Sequence, residues 1–516
     1  MNENFFDFEN DAELSALVSA LPPTDEITKK VSPWRNATRK LLSGFALTAV
    51  VPQIFPLNLI FPVAGSILLF LGFRSLRKEN KSFFLGFILS CIIFGFQCVS
   101  VLLNSSIIKH TMGSTAPVTV SVMISLVLIL LTAVSISFGF WEVKKKLEYK
   151  GSAFSTFALV GIMGLICFLA LINFTGVLAT FVLVAYILVF VALNKLSKEL
   201  DEIGYSIQIA QSKTSDKSVV AICLSVFVAI SLTGYVFFSR YPMEWTPQVK
   251  TESMEIEEIK DNLLSVGFSE DAQIDEIKYN LLFLGFPEDV LSDLKDEDIL
   301  KCKNASFVTV NRDLQAFNNG RKVSETKGNI THIHTEYDEE EMQFTSITVL
   351  VDEEKNEWKV FHHFKWVIDK GYYGAEGISL EPYSGEHGKP DEPSGQVLYD
   401  MDGITYASPF LNKGEQTYKS TSILNSGETM NMYFAEFSYP SKSQSKRGYV
   451  TYNITFYDDV LAVNSILCYA HNKTPLQYPV KSATQVLKKV ESDTLSYARR
   501  YDIATIDTGD YYLKKP

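Results

Sequence analysis

Histidine and cysteine are scarce in this chain, seven and six of 516 residues. That scarcity excludes a disulfide-dense scaffold and the common zinc patterns. No GxSxG, HExxH, CxxC or phosphate-cradling glycine loop occurs, so no enzyme and no cofactor is expected. A net charge of −12 gives nucleic acid no footing as a partner. The first thirty residues, MNENFFDFENDAELSALVSALPPTDEITKK, are acidic and lack the basic start of a cleaved signal, so they are expected to remain attached.

What is present divides in two. Residues 1–240 hold 19 Lys+Arg and 14 Asp+Glu, while 241–516 hold 28 and 45. Nearly all long apolar runs lie in the first, slightly basic half, and the length exceeds one ordinary domain. Five runs have bilayer length: Ser82–Asn104, Pro117–Phe140, Ala153–Ile172, Val177–Asn194 and Ser218–Phe238. The stretch Leu41–Phe73 carries Pro52, Pro56 and Pro62 and reads as one kinked span or as a hairpin of two. Basic residues decide for the hairpin, with a turn around Pro52–Asn58. Lys29, Lys30, Arg35, Arg39 and Lys40 precede the stretch, and Arg74, Arg77, Lys78 and Lys81 follow it; both groups belong inside. Seven spans result, with the N-terminus cytoplasmic and residues from about 241 extracytoplasmic. Trp34 reads as an interfacial residue.

The spans lack Asp, Glu, Lys, Arg and His at mid-depth, with Gln97 the most polar deep residue. That argues against an ion-coupled carrier. A scaffold of packed helices is expected, with Gly72, Gly86, Gly95, Gly161 and Gly164 allowing close contact. On the cytoplasmic side, residues 1–36 contain a short helical pattern with Leu14, Leu17, Val18 and Leu21 on one side. It is a docking helix for a cytosolic partner, or a frayed tail. The pattern Leu196, Leu200, Ile203, Ile207 extends the sixth span inward.

Residues 241–303 read as a membrane-proximal helical module built on a duplication. IEEIKDNLLSVGFSED (Ile256–Asp271) recurs eighteen residues later as IDEIKYNLLFLGFPED (Ile274–Asp289), with eleven of sixteen positions identical. Each copy is one amphipathic helix closed by Gly267-Phe268 or Gly285-Phe286. Pro287 is expected as the first residue of the next helix, Asp296 caps a further one, and the module reads as a structural joint. From 304 to 516 the language is that of strands, expected at Thr331–Tyr337, Met342–Val351, Trp358–Ile368, Gly395–Tyr399, Ile404–Ala407, Met430–Ser438, Tyr449–Tyr457 and Val460–His471. Turns are expected at DEEKNE, Asp402-Gly403 and Lys413-Gly414, and a helix at Ser482–Tyr497. The fold class is therefore an α-helical membrane bundle of about seven spans, a small helical module, and a β-rich sandwich-like extracytoplasmic domain.

Candidate chemistry is thin. His332 and His334 share a strand face and could meet a metal with Glu336 and Asp338, or be ordinary strand histidines. His362 and His363 point to opposite faces. The runs Asp338–Glu341 and Asp352–Glu354 read as solvated turns rather than calcium loops. Cys302 and Cys468 form one disulfide or stand as separate buried thiols. Trp366, Tyr372, Tyr373 and Tyr383 are candidates to stack on an envelope glycan, though a β core would use them equally.

The phrases LPPTDEITKKVSPWRNATRK, LGFRSLRKEN, LGFPEDVLSDLKDEDIL, KVFHHFKWVIDKGYYG and RGYVTY together resemble an uncharacterised family of bacterial multi-pass membrane proteins. The resemblance covers most of the chain. It implies an association with extracytoplasmic-function sigma factors, hence an anti-sigma-like or sensory partner. This chain departs from it by carrying the LGF unit twice, and only residues 1–36 could act on a sigma factor. The reading is a sensor whose partners are the lipid bilayer, a cytosolic regulatory protein such as a sigma factor, and an envelope glycan or protein. The alternatives are a transporter or export accessory, or a structural envelope protein.

Overall fold

The computed structural model describes residues 33–51, 57–111, 116–149, 154–172, 177–203, 214–248, 270–316, 321–327, 330–336, 340–368, 374–382, 388–419, 429–457, 463, 465–472, 478–490 and 501–508. They fall into two compact units, Met1–Leu102 with Ser114–Ser231, and Leu103–Gly113 with Leu232–Pro516.

The first unit is helical. It contains α1 (Pro33–Ala49), α2 (Leu57–Leu76) and α3 (Lys81–Asn104), then, past the short α4 (Ile108–Thr111) of the second unit, α5 (Ala116–Lys146), α6 (Phe154–Leu171), α7 (Val177–Glu202) and α8 (Asp216–Phe238). Among the described residues, four helical stretches are long and apolar enough to cross a membrane: Lys81–Asn104, Val120–Lys146, Thr180–Glu202 and Asp216–Phe238. Ile60–Leu76 and Thr156–Leu171 are shorter apolar helices. Phe84, Val127, Phe181 and Val228 are exposed on these helices, as suits a surface solvated by lipid rather than water.

The proline-bearing stretch is a pair of helices. A Cβ on Gly72 would lie 2.7 Å from Leu41, one on Gly44 would strike the Leu69 backbone, and one on Gly65 would strike Thr48. As one partner's number rises the other's falls by about the same step, which is the register of an antiparallel pair. Only residues without side chains permit such approach. Residues 52–56, in the expected turn, lie outside the described residues. Gly86, against the Phe73 ring, also makes the expected close contact, but Gly95, Gly161 and Gly164 have nothing within 4 Å. Gly139, against the Phe83 ring, takes that role unannounced.

Trp34 corrects the interfacial reading. Its ring is fully buried, edge-on to Phe140 at 5.6 Å and Phe83 at 6.4 Å, and its Nε1–H donates to the Ser197 carbonyl at 3.1 Å. The C-terminal part of α7 buries Leu196 and Leu200 in the same cluster and ends at Glu202. Polar contacts gather several helix ends at one pole of this unit. Asp216 at the start of α8 pairs with Lys40 at 2.5 Å and Arg74 at 3.6 Å. Lys146 at the end of α5 pairs with Glu79, just before α3, at 2.7 Å. Tyr149, just past α5, donates to Glu199 near the end of α7 at 2.6 Å.

The second unit is an antiparallel sandwich. Its strands are β1 (Thr246–Gln248), β2 (Phe307–Gln315), β3 (Arg321–Lys327), β4 (Ile330–Glu336), β5 (Met342–Asp352), β6 (Glu357–Trp366), β7 (Glu376–Pro382), β8 (Gly388–Pro390), β9 (Ser394–Met401), β10 (Ile404–Pro409), β11 (Leu411–Lys419), β12 (Thr429–Phe437), β13 (Gln444–Phe456), β14 (Ser465–Asn472) and β15 (Tyr501–Asp507). One sheet runs β1-β10-β9-β13-β6-β5-β2 with β8 beside β13; the other runs β11-β12-β7-β14-β15; β3 and β4 form a separate hairpin. Alternation builds the core between the sheets. Phe344, Val360, Phe364, Tyr452 and Ile454 face Leu380, Phe437, Leu467 and Tyr469. The opposite parity, Ile347, Val349, Phe361 and Tyr449, faces a layer of helices: α9 (Glu270–Phe283), α10 (Glu288–Leu291) and α11 (Asp296–Leu300). The described part of the helical module therefore packs on the large sheet as a layer of the β domain. Helix α12 (Ala483–Val490) covers the second sheet.

Local expectations are met at the second repeat. Gly285 has φ +97°, its N–H donates to Leu282 at 3.0 Å and that of Phe286 to Leu281 at 2.9 Å, the paired bonds of a Schellman cap. Pro287 precedes α10 rather than opening it, and Asp296 is the first residue of α11, after Lys295. Asp402 and Gly403 both have positive φ in their hairpin turn. Lys413-Gly414 corrects the reading, for it is a bulge inside β11 and not a break between strands.

Candidate functional site

Between the helical layer and the large sheet runs a buried polar seam. Asp293, just past α10, receives hydrogen bonds from His363 Nε2 at 3.0 Å and Arg447 Nε at 2.7 Å, and its backbone carbonyl receives one from Gln396. Arg447 reaches Asp400 as well, at 3.2 Å. Burial alone would raise the Asp293 pKa, but His363 and Arg447 outweigh it and hold the carboxyl below its ordinary range. Asp298, on α11, accepts from Lys359 Nζ at 3.2 Å and the Tyr449 hydroxyl at 2.8 Å, while Tyr449 accepts from the Lys295 backbone. Burial lowers the Lys359 pKa and raises that of Tyr449. On the other face of β6, His362 sits in the sandwich core between Ser346 Oγ at 2.7 Å and Ser465 Oγ at 2.8 Å, and burial pushes its pKa down to about 3.

A cleft of about 240 Å³ lies in the β domain. Its walls include Ile378, Leu380, Phe410, Phe434 and Val450, and its polar lining includes Lys295, Glu392, Asn412 and Tyr433. An apolar floor with a few convergent polar groups is the usual make-up of a small-ligand site. Two of its strands carry something more. One residue beyond Ala435 on β12 is Glu436, fully buried, and one residue beyond Asn412 on β11 is Lys413. Glu436 accepts from the Tyr241 hydroxyl and from the Thr484 N–H at 2.8 Å, and pairs with Lys413 at 3.4 Å.

Around that carboxylate the chain leaving α3 and α8 is tied to the β domain. Tyr241 N–H donates to Ser438 Oγ at 2.9 Å, Lys413 Nζ to the His110 carbonyl at 3.1 Å, and His110 Nε2 to the Val480 carbonyl at 3.1 Å. Val480 N–H donates to the Asn104 carbonyl at 2.8 Å, and Ile107 N–H to that of Phe238 at 2.7 Å. Burial lowers the His110 pKa. A solitary charged residue, Glu436, in the largely apolar strand MNMYFAEF is the one sequence signal that points to this joint.

The residues singled out from sequence are not gathered here. Trp366 lies in the sandwich core at 5 % exposure, its Nε1–H on the Tyr469 hydroxyl and its face against His471, so it offers no stacking platform. Tyr372, Tyr373, Tyr383, Leu14, Leu17, Val18 and Leu21 lie outside the described residues. His332 and His334 stand on β4 opposite Glu325 and Val323, with side chains outside those described. Among the described residues no group of three or more His, Cys, Asp and Glu is placed to share a metal ion. His362 and His363 take opposite faces as expected. Cys302 and Cys468 are separate thiols, the first under the helical layer and the second on β14.

No protein-family model matches the chain. No curated protein matches it either. Among solved structures, a chain from a study of pH-induced modulation of Streptococcus parasanguinis adhesion by Fap1 fimbriae is similar at 11% identity, covering 33% of this chain and 78% of that one, with a TM-score of 0.16. A chain from the work on manganese lipoxygenase of Gaeumannomyces graminis and zonadhesin of Komagataella pastoris aligns at 9% identity over 40% of this chain and 78% of that one, again at 0.16. Likeness at that level carries no argument about this chain.

Proposed function

We propose that the chain is a membrane sensor in which the cleft of the β domain takes an envelope glycan or protein segment and relays its occupancy to the outer ends of α3 and α8. The observation that carries the reading is the adjacency on β11 and β12, where Asn412 and Ala435 line the cleft while Lys413 and Glu436 hold Tyr241 and the His110 turn. A ligand that shifts those strands acts on the joint without an intermediary. In this reading seven helices cross the bilayer, the N-terminus is cytoplasmic and the β domain extracytoplasmic. The helix ends gathered around Asp216, Glu79 and Glu199 support alternating crossings, because each is an end that seven crossings would place on the cytoplasmic side. The acidic tail, through Leu14, Leu17, Val18 and Leu21, then docks a cytosolic regulator of the sigma-factor kind. The aromatic packing of Trp34, Phe83 and Phe140 in the helical unit favours a scaffold over a passage.

Crosslinking in intact cells tests this with the full chain, a chain lacking residues 1–30, and Tyr241→Phe. The expected result is a cytosolic adduct that disappears in the truncated chain and changes in yield in Tyr241→Phe. An adduct pattern identical in all three overturns the reading.

A further inference from the structure

The second copy of the duplicated phrase has a seat whose parts are all described. Ile277, Leu281 and Phe286 are buried against Ile347 and Val349 of β5 and Phe361 of β6, with the Phe286 and Phe361 rings edge-on at 5.5 Å. Asn280 Nδ2 donates to the Ala305 carbonyl at 3.0 Å, and Gly285 takes the left-handed conformation that closes the helix. Every one of these five residues is identical in the first copy, as Ile259, Leu263, Phe268, Asn262 and Gly267. The five differences between the copies fall at Asp275, Tyr279, Phe283, Leu284 and Pro287, none of them buried, and Phe283 is 80% exposed. The five residues that make these contacts are therefore all kept, and at Leu284, which also packs on this cluster, the first copy carries another aliphatic residue, Val266. A duplication retained only as spacing would not need to keep an amide, a left-handed glycine and an aromatic edge.

We propose that this seat on the large sheet is exchangeable, and that the first copy, Ile256–Phe268, takes it in place of Ile274–Phe286. The exchange is a slip of eighteen residues, five turns of helix, so the apolar stripe keeps its phase. Its consequence lies in the tether. From Gln248, the end of β1, 25 residues precede Ile274 but only 7 precede Ile256. Eight Cα steps reach at most about 26–29 Å. Four to five strand spacings separate β1 from β6 and β5 along the sheet, roughly 19–24 Å. The first copy thus reaches the seat only with its tether drawn nearly straight, whereas the 26 Cα steps before the second allow about 86–94 Å. Seat occupancy becomes a two-state length control between the exit of α8 and the β domain, whatever ligand or partner the cleft takes.

Cys302 reports the seat, since it is fully buried beneath it and burial pushes its thiol up to about 12. Maleimide modification of Cys302, followed by peptide mass spectrometry on the full chain in nanodiscs, compares wild type, Leu281→Asp, Leu263→Asp and the double variant. Both single variants are expected to keep Cys302 protected, each copy covering for the other. The double variant is expected to raise the modification rate about tenfold or more, as local opening exposes the thiol. A Leu281→Asp chain modified as fast as the double variant overturns the proposal. Should Leu281→Asp prevent folding, the transplant Asp275→Glu, Tyr279→Asp, Phe283→Ser, Leu284→Val, Pro287→Ser decides. It writes the first copy's sequence into the seat, where continued protection supports exchange and rapid modification excludes it.

Discussion

Asp293 closes a buried network by accepting from both His363 and Arg447, so its loss strands a guanidinium in a site with little solvent. Removing one partner of a buried pair costs about 3–5 kcal/mol, against ~0–1 kcal/mol for an exposed one. Asp293→Ala is therefore expected to lower the denaturation free energy of the β domain by several times what Asp289→Ala does, although Asp289 also pairs with an arginine, Arg312, at 2.8 Å. Urea titration of the two variants checks the ratio. His362 adds a pH dependence of definite sign. Its pKa falls from the ordinary 6.5 to about 3 on folding, so the unfolded chain binds the extra proton. Stability is complete above 6.5 and declines by about 1.4 kcal/mol per pH unit on acidification. Asp293, with its depressed value, adds a second loss only below the carboxylate range. His362→Gln is expected to flatten the slope between about pH 6.5 and 4.5 by about one proton; an unchanged slope would refute the assignment. Little of this network was legible beforehand. The opposite facing of His362 and His363 follows from strand parity, but their partners come from Ser346, Ser465 and Asp293, 16, 103 and 70 residues away, and no local pattern announces such meetings.

Helices and hairpins repeat that division between local and distant causes. The Schellman cap at Gly285, the Asp402-Gly403 turn and the strands with strong β-branched alternation, such as β5 and β6, are set by residues within a few positions, and all are readable. Strands β2, β7 and β15 lie outside the strands expected from sequence, and Lys413-Gly414 of β11 reads there as a turn. They are strands only because β5, β12 and β14 offer hydrogen bonds beside them. The α1–α2 hairpin is legible from its prolines together with the flanking charge, whereas its contact face is not, since glycine spacing does not say which face meets which helix. That face makes a sharp element-scale prediction. Gly72→Leu must push Leu41 aside and is expected to cost about 1–3 kcal/mol or more as an overpacked contact. Gly164→Ala meets open space and should gain up to about 1 kcal/mol of helix propensity. Thermal midpoints by fluorescence-detected size exclusion in detergent should move in opposite directions, and movement in the same direction would show that the hairpin contact is misplaced.

For the whole molecule, the count of crossings matters more than any single helix, because parity alone decides whether the acidic tail and the β domain share a compartment. Among the described residues, four helices satisfy length and composition by themselves. Counted alone, they would leave both ends of the chain on one side. Yet α1, α2 and α6 pack in one core with three of them, where Trp34, Leu69 and Leu159 are all buried, and α2 also packs against the fourth, α8. The basic residues add a second constraint. Lys40, Arg74 and Lys146 meet acidic partners at one pole, where the positive-inside rule gathers such residues on the cytoplasmic face. The seven-crossing topology proposed above is compatible with both, and its sum is odd. Residues 1–32 and the β domain are accordingly predicted to lie on opposite faces. Sealed right-side-out vesicles from cells producing the chain with an epitope at Met1 provide the measurement. Added protease should remove the β domain beyond about residue 241 while the epitope survives until the vesicles are lysed. Loss of the epitope together with the β domain from sealed vesicles would establish an even count, and with it remove any route by which the cleft could act on a cytosolic partner through the tail.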